Sequence, residues 1–260
     1  IVECVKEFKY SSKDVRDFSI QLKKYENEFL FSQKAGLILS ALINNSTEES
    51  FEVVTEHLTK LPHFLGRVNT KNMVVFGNGG FTFGYHMENG NVTVKGNTDG
   101  SLGSEMRNGE ILVEGNSDDV GFEMKGGKIE VKGSICSDLP AFLCAAGFFM
   151  EDGLIIISNA KDIDVGSGMK GGKIIVENSD RCILGEEMLE GLIKINSGVV
   201  NAVGENAKGG RIDINGEIQK LFKDCNTEIY HNGKKLNTSF WNVLYYNKLR
   251  KNERIRKLFG

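Results

Sequence analysis

Glycine recurs along the chain at a nearly fixed interval, and 28 of its 31 glycines lie between residues 65 and 216. The repeating unit reads apolar-Gly-x-x-Met-x-x-Gly-x-Ile-x-Val, and successive copies begin 19, 18, 26, 19, 19 and 19 residues apart. We expect two columns of turn glycines: Gly84, Gly103, Gly121, Gly147, Gly166, Gly185 and Gly204, then Gly90, Gly109, Gly127, Gly153, Gly172, Gly191 and Gly210. Units of this size cannot bury their own apolar face, so they must stack on one another.

Each unit predicts a short strand that follows a tight turn. Apolar β-branched residues two positions apart, such as Ile129 with Val131 and Ile174 with Val176, point to one face of a strand. Six methionines recur with the same period, and we interpret them as core filler. The fold class predicted is mainly β, a right-handed single-stranded β-helix of about eight rungs of 18–19 residues.

Two other solenoids and one nucleotide-binding fold are excluded. A left-handed hexapeptide helix needs an apolar residue every six positions, whereas Gly171 and Glu177 stand six and twelve positions after Val165. The GGxGxD series of calcium-binding solenoids is absent. The run Gly166-x-Gly168-x-x-Gly171 matches a dinucleotide fingerprint, but no βαβ pattern surrounds it.

The flanks are not repetitive, and we divide the chain at 1–64, 65–216 and 217–260. The first part predicts a small α/β cap, with short strands before residue 31 and helices over 33–43 and 46–60. The second helix is inferred from a capping box at Ser46–Glu49 and from the following proline.

The third part predicts a strand-turn-strand over 226–236 and an amphipathic helix from Thr238. Its end carries six basic residues, for which a solvated helix face, docking on an acidic partner or polyanion, and membrane contact all stay open.

Composition narrows the class of protein. The repeat region carries 14 basic and 21 acidic residues, a balance unsuited to nucleic-acid binding. The chain has no run of 18 apolar residues, and its first ten residues lack the apolar core of a secretory signal. Its five cysteines are scattered, which favours reduced thiols and a cytoplasmic location.

Catalytic, cofactor and metal motifs are absent from the sequence, and we expect no such site in the repeats. Of the four histidines, His86 falls on a turn and is expected to be exposed. Five aspartates gather in the turns before the first glycine, where they form solvated turns or, alternatively, a catalytic or metal site: Asp118, Asp119, Asp162, Asp164 and Asp180. An insertion over 134–146 lengthens one unit.

Apolar residues also occupy strand positions that should face outward. Leu154, Ile156, Ile175 and Leu192 are the candidate interface, because stacked rungs would bring them into one stripe. The cover would be either the C-terminal helix of the chain itself or a partner.

The strings MKGGKIEVKG (124–133), MKGGKIIVEN (169–178) and AKGGRIDING (207–216) resemble the GXGXG-repeat family. That family includes one of the subunits of formylmethanofuran dehydrogenase and the C-terminal domain of the glutamate synthase large subunit, and the resemblance covers about residues 68–216. It implies a non-catalytic scaffold or assembly subunit of a multisubunit oxidoreductase, with other subunits or a second copy as partners and neither nucleic acid nor membrane. A stand-alone β-helix enzyme that uses the turn carboxylates, and a free-standing assembly protein, are the alternatives.

Overall fold

The computed structural model describes residues 8–135, 144–222 and 225–236. Its helices are α1 (Ser12–Gln21), a 3-10 helix (Leu22–Tyr25) and α2 (Phe31–Asn45). Its strands are β1 (Ser50–Val54), β2 (Asn72–Phe76), β3 (Asn91–Val94), β4 (Glu110–Val113), β5 (Lys128–Ile135), β6 (Ala145–Ala146), β7 (Leu154–Lys161), β8 (Asp164–Val165), β9 (Lys173–Leu184), β10 (Leu192–Ile195), β11 (Gly198–Val203), β12 (Arg211–Ile214), β13 (Glu217–Ile218), β14 (Glu228–His231) and β15 (Lys234–Lys235).

The strands form a β-solenoid, which confirms the mainly β fold class. Ten strands pair in parallel in the order β1-β2-β3-β4-β5-β7-β9-β10-β12-β14, so that the chain makes about nine turns. The predicted count was eight, and β1 accounts for the difference because it pairs residue by residue with β2 inside the predicted cap. The right-handed sense stays a prediction.

Equivalent residues of successive units stack in register and form the core. Ile129, Val131, Ile174 and Val176 have no exposed surface, so the predicted inward face is confirmed. The six methionines of the repeat are also fully buried: Met87, Met106, Met124, Met150, Met169 and Met188. Each of them fills the space beside the turn of the next unit.

Close packing explains why both turn columns are glycine. All fourteen have positive φ. A Cβ on Gly172 would lie 2.7 Å from the methyl carbon of Met150, and a Cβ on Gly166 would lie 2.5 Å from Cδ1 of Ile193. The second column therefore leaves room for methionine, and the first leaves room for the isoleucine of the following unit.

A third column adopts positive φ without glycine. It lies two residues after the first glycine of the unit and consists of Val68, His86, Glu105, Glu123, Phe149, Glu187 and Asn206. Backbone N–H groups in this column donate to a carbonyl of a neighbouring turn, as from Glu123 to Phe148 at 2.9 Å and from Glu187 to Glu205 at 2.8 Å. The turns are thus hydrogen-bonded from rung to rung like the strands.

An asparagine ladder runs along another corner of the solenoid. The Oδ1 atoms of Asn78, Asn97 and Asn116 accept the backbone N–H of Asn97, Asn116 and Ser134 at 2.9, 2.8 and 2.8 Å. The Gly-Asn pairs in the sequence look like ordinary turn signals, and only stacking gives them this role.

The N-terminal part differs from the predicted cap in its elements. α1 replaces the predicted short strands, and α2 begins at Phe31 after Leu30, in place of a Ser32 cap. The helix predicted over 46–60 is wrong, since β1 lies there with Phe51 and Val53 buried. Pairing with β2 outweighs the local helix signal.

The predicted strand-turn-strand near the C-terminus is confirmed. β14 and β15 pair antiparallel, and the turn residues Asn232 and Gly233 have φ of 48° and 78°. The helix predicted from Thr238 lies outside the described residues.

Glycine substitution separates lack of space from backbone strain. Gly172 and Gly233 have φ of 77° and 78°, but only Gly172 lacks room for a Cβ, since no atom lies within 4 Å of that position at Gly233. We expect Gly172→Ala to destabilise the protein by more than about 2 kcal/mol and Gly233→Ala by about 1 kcal/mol. Urea unfolding measures both, and equal effects would contradict the packing role of Gly172.

Burial of a charge tests the register. Ile174→Asp would place a carboxylate in the core and should cost several kcal/mol, whereas Lys173→Asp on the partly exposed side should change the free energy of unfolding by less than about 0.5 kcal/mol. Similar losses in both variants would mean that the inward and outward positions are exchanged.

Candidate functional site

The five turn aspartates do not form one site. Asp118 and Asp119 line a cavity, whereas Asp162 and Asp180 both contact Arg181, at 2.7 Å from its Nε and 3.2 Å from its Nη1 respectively. Asp164 lies near Glu186, whose pKa it helps to raise. The pattern of one aspartate per turn is real, but the structure distributes these side chains over three places.

The cavity of Asp118 and Asp119 spans three consecutive turns of one corner. Its volume is about 450 Å³. The lining residues are His63, Phe81, Asp99, Gly100, Ser101, Asp118 and Asp119. The ring centroids of His63 and Phe81 are 6.2 Å apart, and Phe81 is 47% exposed, so an aromatic surface faces the carboxylates.

Two carboxyl groups of this cavity have raised pKa values. Burial raises the pKa of Asp119 to about 6, and the neighbouring Asp118 adds to the rise, although backbone N–H groups of Ala145 and Val120 oppose it. Burial also raises the pKa of Asp99, while His63 opposes that rise. A carboxyl group that titrates near neutral pH is able to hold or release a proton under working conditions.

The histidines are dispersed. His86 is not exposed as expected: its ring is half-buried against Tyr85, and its Nε2 lies 3.2 Å from a carboxylate oxygen of Glu105. Nε2 of His231 lies 2.7 Å from the carbonyl oxygen of Gly216. Over the described ranges, no group of three His, Cys, Asp or Glu side chains is placed to hold a metal ion.

The insertion differs from expectation in the state of one thiol. Residues 136–143 lie outside the described residues, but Cys144 beyond them is buried and disulfide-bonded. The prediction that all five thiols are reduced is therefore wrong at this position. Linear spacing carries no information about which thiols a fold brings together, which is why this bond is not predictable from the sequence.

The candidate interface lies on the sheet formed by β7, β9 and β10. Ile156 and Ile175 are directly paired neighbours, and Lys173 stands between Leu154 and Leu192 in the adjacent column. All four apolar side chains are partly exposed. The stripe is therefore a patch two columns wide, with one lysine inside it.

Sequence reasoning missed a second surface, which we call the turn ridge. It comprises the two residues after the first glycine of each unit, and it carries an aromatic cluster of Phe122, Phe148 and Phe149. The ring centroids of Phe148 and Phe149 are 4.4 Å apart, and those of Phe122 and Phe148 are 6.0 Å apart. Reading these two columns down the aligned repeats is the signal that would have found the cluster.

Comparison of the chain with family models, with curated proteins and with solved structures finds no match in any of the three. Among the described residues, no helix is both long and apolar enough to cross a membrane.

The raised pKa of Asp119 predicts a dependence of stability on pH. Its folded-state pKa of about 6 lies above the ordinary 3.8, so this carboxyl group lowers stability as the pH rises from about 4 to about 6. We expect Asp119→Asn to gain on the order of 2–3 kcal/mol relative to wild type between pH 4 and pH 7. Urea unfolding at the two pH values measures this difference.

Asp162→Asn is the control of opposite sign. Arg181 lowers the pKa of Asp162, so its carboxylate stabilises the fold above the ordinary pKa, and the stabilisation is lost as the pH falls. This variant should be less stable than wild type at pH 7 and should approach it in acid. The same pH trend in both variants would refute the assignment for Asp119.

Proposed function

We propose that this chain is a non-catalytic scaffold or assembly subunit that holds other protein chains. The observation that carries the proposal is the patch of Leu154, Ile156, Ile175 and Leu192 on a regular parallel sheet. Partly exposed apolar side chains in fixed register form a preorganised contact surface, because the backbone hydrogen bonds of the rungs already order them.

The charges around the patch indicate the chemistry of its partner. Lys173 and Lys194 pair in register with patch residues, and neither forms an ion pair with a described residue. Other charges on the same face are neutralised locally, as in the pair of Lys128 with Glu130 at 3.0 Å. The partner surface should therefore carry an apolar centre with carboxylates beside it.

The patch supplies only part of an interface. Covering roughly 200 Å² of apolar surface stabilises a complex by about 5 kcal/mol before association costs. A stable interface buries about 1,200–2,000 Å² in total. Neighbouring turns must therefore contribute, as a scaffold that contacts its partners along its length would allow.

The resemblance to GXGXG-repeat proteins suggests what the partners are. We propose the catalytic chains of a cytoplasmic oxidoreductase complex, with this chain free of cofactor. A free-standing assembly protein is the same proposal with a second copy as the partner.

A second candidate function is enzymatic, and the cavity of Asp119 favours it. A carboxyl group with a pKa of about 6 beside a second carboxyl group and a histidine is suited to proton transfer. In this case the purified chain alone would turn over a substrate, and Asp119→Asn would abolish turnover without loss of fold.

Charge placed in the patch tests the scaffold function. The chain purified from its native source with an affinity tag should retain other subunits, identified by mass spectrometry, or a second copy. Ile156→Lys with Ile175→Lys should lower the retained amount at least tenfold, because two ammonium groups would be desolvated in the interface.

The matched control is Val74→Lys with Thr93→Lys, a directly paired couple in the same outward column several rungs away. It should leave association unchanged. Equal retention by both variants, with thermal midpoints like that of wild type, would exclude the patch as the contact surface.

A further inference from the structure

The turn ridge carries an unbalanced group of carboxylates next to its aromatic cluster. Burial raises the pKa of Glu186, and repulsion from Asp164, Glu205 and Glu187 raises it further. None of these four side chains forms an ion pair with a described residue. Glu123 lies on the ridge at the other side of the aromatic cluster and likewise has no ion pair within the described ranges.

A buried hydroxyl group marks the middle of this surface. Ser167 stands between Phe148 and Glu186 in the ridge and is 5% exposed, and its Oγ has no hydrogen-bond partner among the described residues. The ring of Phe149 lies over Gly168, where a Cβ would come within 2.3 Å of it. Buried hydroxyl groups normally have a partner, so this part of the ridge has the character of a contact surface.

The C-terminal segment 237–260 has the complementary composition. It carries six basic residues and one acidic residue, and its aromatic residues include Trp241, Tyr245 and Tyr246. The described chain ends at Leu236, whose backbone N–H donates to the carbonyl of Ile229 at 2.8 Å. Because β15 runs antiparallel to β14, the chain there heads back towards the start of the strands, the side on which the ridge lies.

The distances allow the segment to reach the ridge. Phe148 lies four rungs from the terminal hairpin, about 19 Å at 4.8 Å per rung. Residues 240–246 follow Leu236 by four to ten positions, which span about 13–33 Å when extended. The basic residues come next in the chain and reach the rung of Glu123, one rung further.

We propose that residues 237–260 dock on the turn ridge of their own chain, with aromatic side chains against Phe148 and Phe149 and basic side chains against the flanking carboxylates. The ridge is a binding surface for a basic, aromatic segment. This assignment leaves the patch around Ile156 and Ile175 open to another chain, and it does not depend on the scaffold function.

The fluorescence of Trp241 reports on this docking, because it is the one tryptophan in the chain. In the full-length protein at low salt, acrylamide should quench Trp241 at least threefold less effectively than it quenches a synthetic peptide of residues 237–260. Glu123→Lys with Glu187→Lys should restore quenching to the level of the peptide. Phe149→Asn should do the same, since asparagine tolerates the positive φ at that position.

The matched control is Glu56→Lys with Glu110→Lys, which makes the same charge change away from the ridge. It should quench like wild type, and all variants should keep the thermal midpoint of the chain truncated after Leu236.

Three results would overturn the proposal. Trp241 in the wild type would quench like the peptide; or protection would respond only to Ile156→Lys with Ile175→Lys, which would place the segment on the patch; or protection would vanish on dilution, which would mean that the segment binds a second copy.

Discussion

Hydrogen bonding from each rung to the next is the constraint on which the rest of this molecule depends. It continues through the strands, as between Ile129 and Ile155, and through the turns, as from Glu123 to Phe148. In-register pairing places chemically equivalent side chains above one another, so a residue that fits one rung must also fit its neighbours. A non-glycine residue at positive φ costs roughly 1 kcal/mol or more, and the N–H bond to the next turn offsets much of that cost.

The repeat columns could be predicted because a period of two and a recurring glycine each have one physical meaning. The glycine positions and the inward isoleucines and valines follow from them directly. The helix predicted over 46–60 shows where such reasoning stops. Phe51, Val54 and Leu58 have helical spacing, but Phe51 and Val53 also alternate, and pairing of β1 with β2 decides between the two. That pairing joins residues about 22 positions apart, which no local signal encodes.

The candidate sites were predictable only in part for a similar reason. Asp118 and Asp119 stand out in the sequence, but His63 and Phe81 join them from two earlier turns, and the raised pKa of Asp119 comes from burial that only the stack creates. The aromatic cluster of the ridge was missed because its members occupy the variable positions of the unit. A solenoid repeats its fixed positions in the core and uses its variable positions outside, so function is concentrated where the repeat is least regular.

The short antiparallel strand β15 sets the length of the assembly. Nine parallel turns end in a strand edge that another chain could extend, and a stack of identical rungs would otherwise grow end to end like a fibre. β15 occupies that edge with two residues, Lys234 and Lys235, both exposed. At the opposite end, Ser19 of α1 accepts the backbone N–H of Val54 at 3.0 Å, and Arg16 contacts Glu52 at 2.9 Å. The molecule is consequently a rod of defined length, a molecular ruler rather than a polymer, and any surface along it lies at a fixed number of rungs from either end.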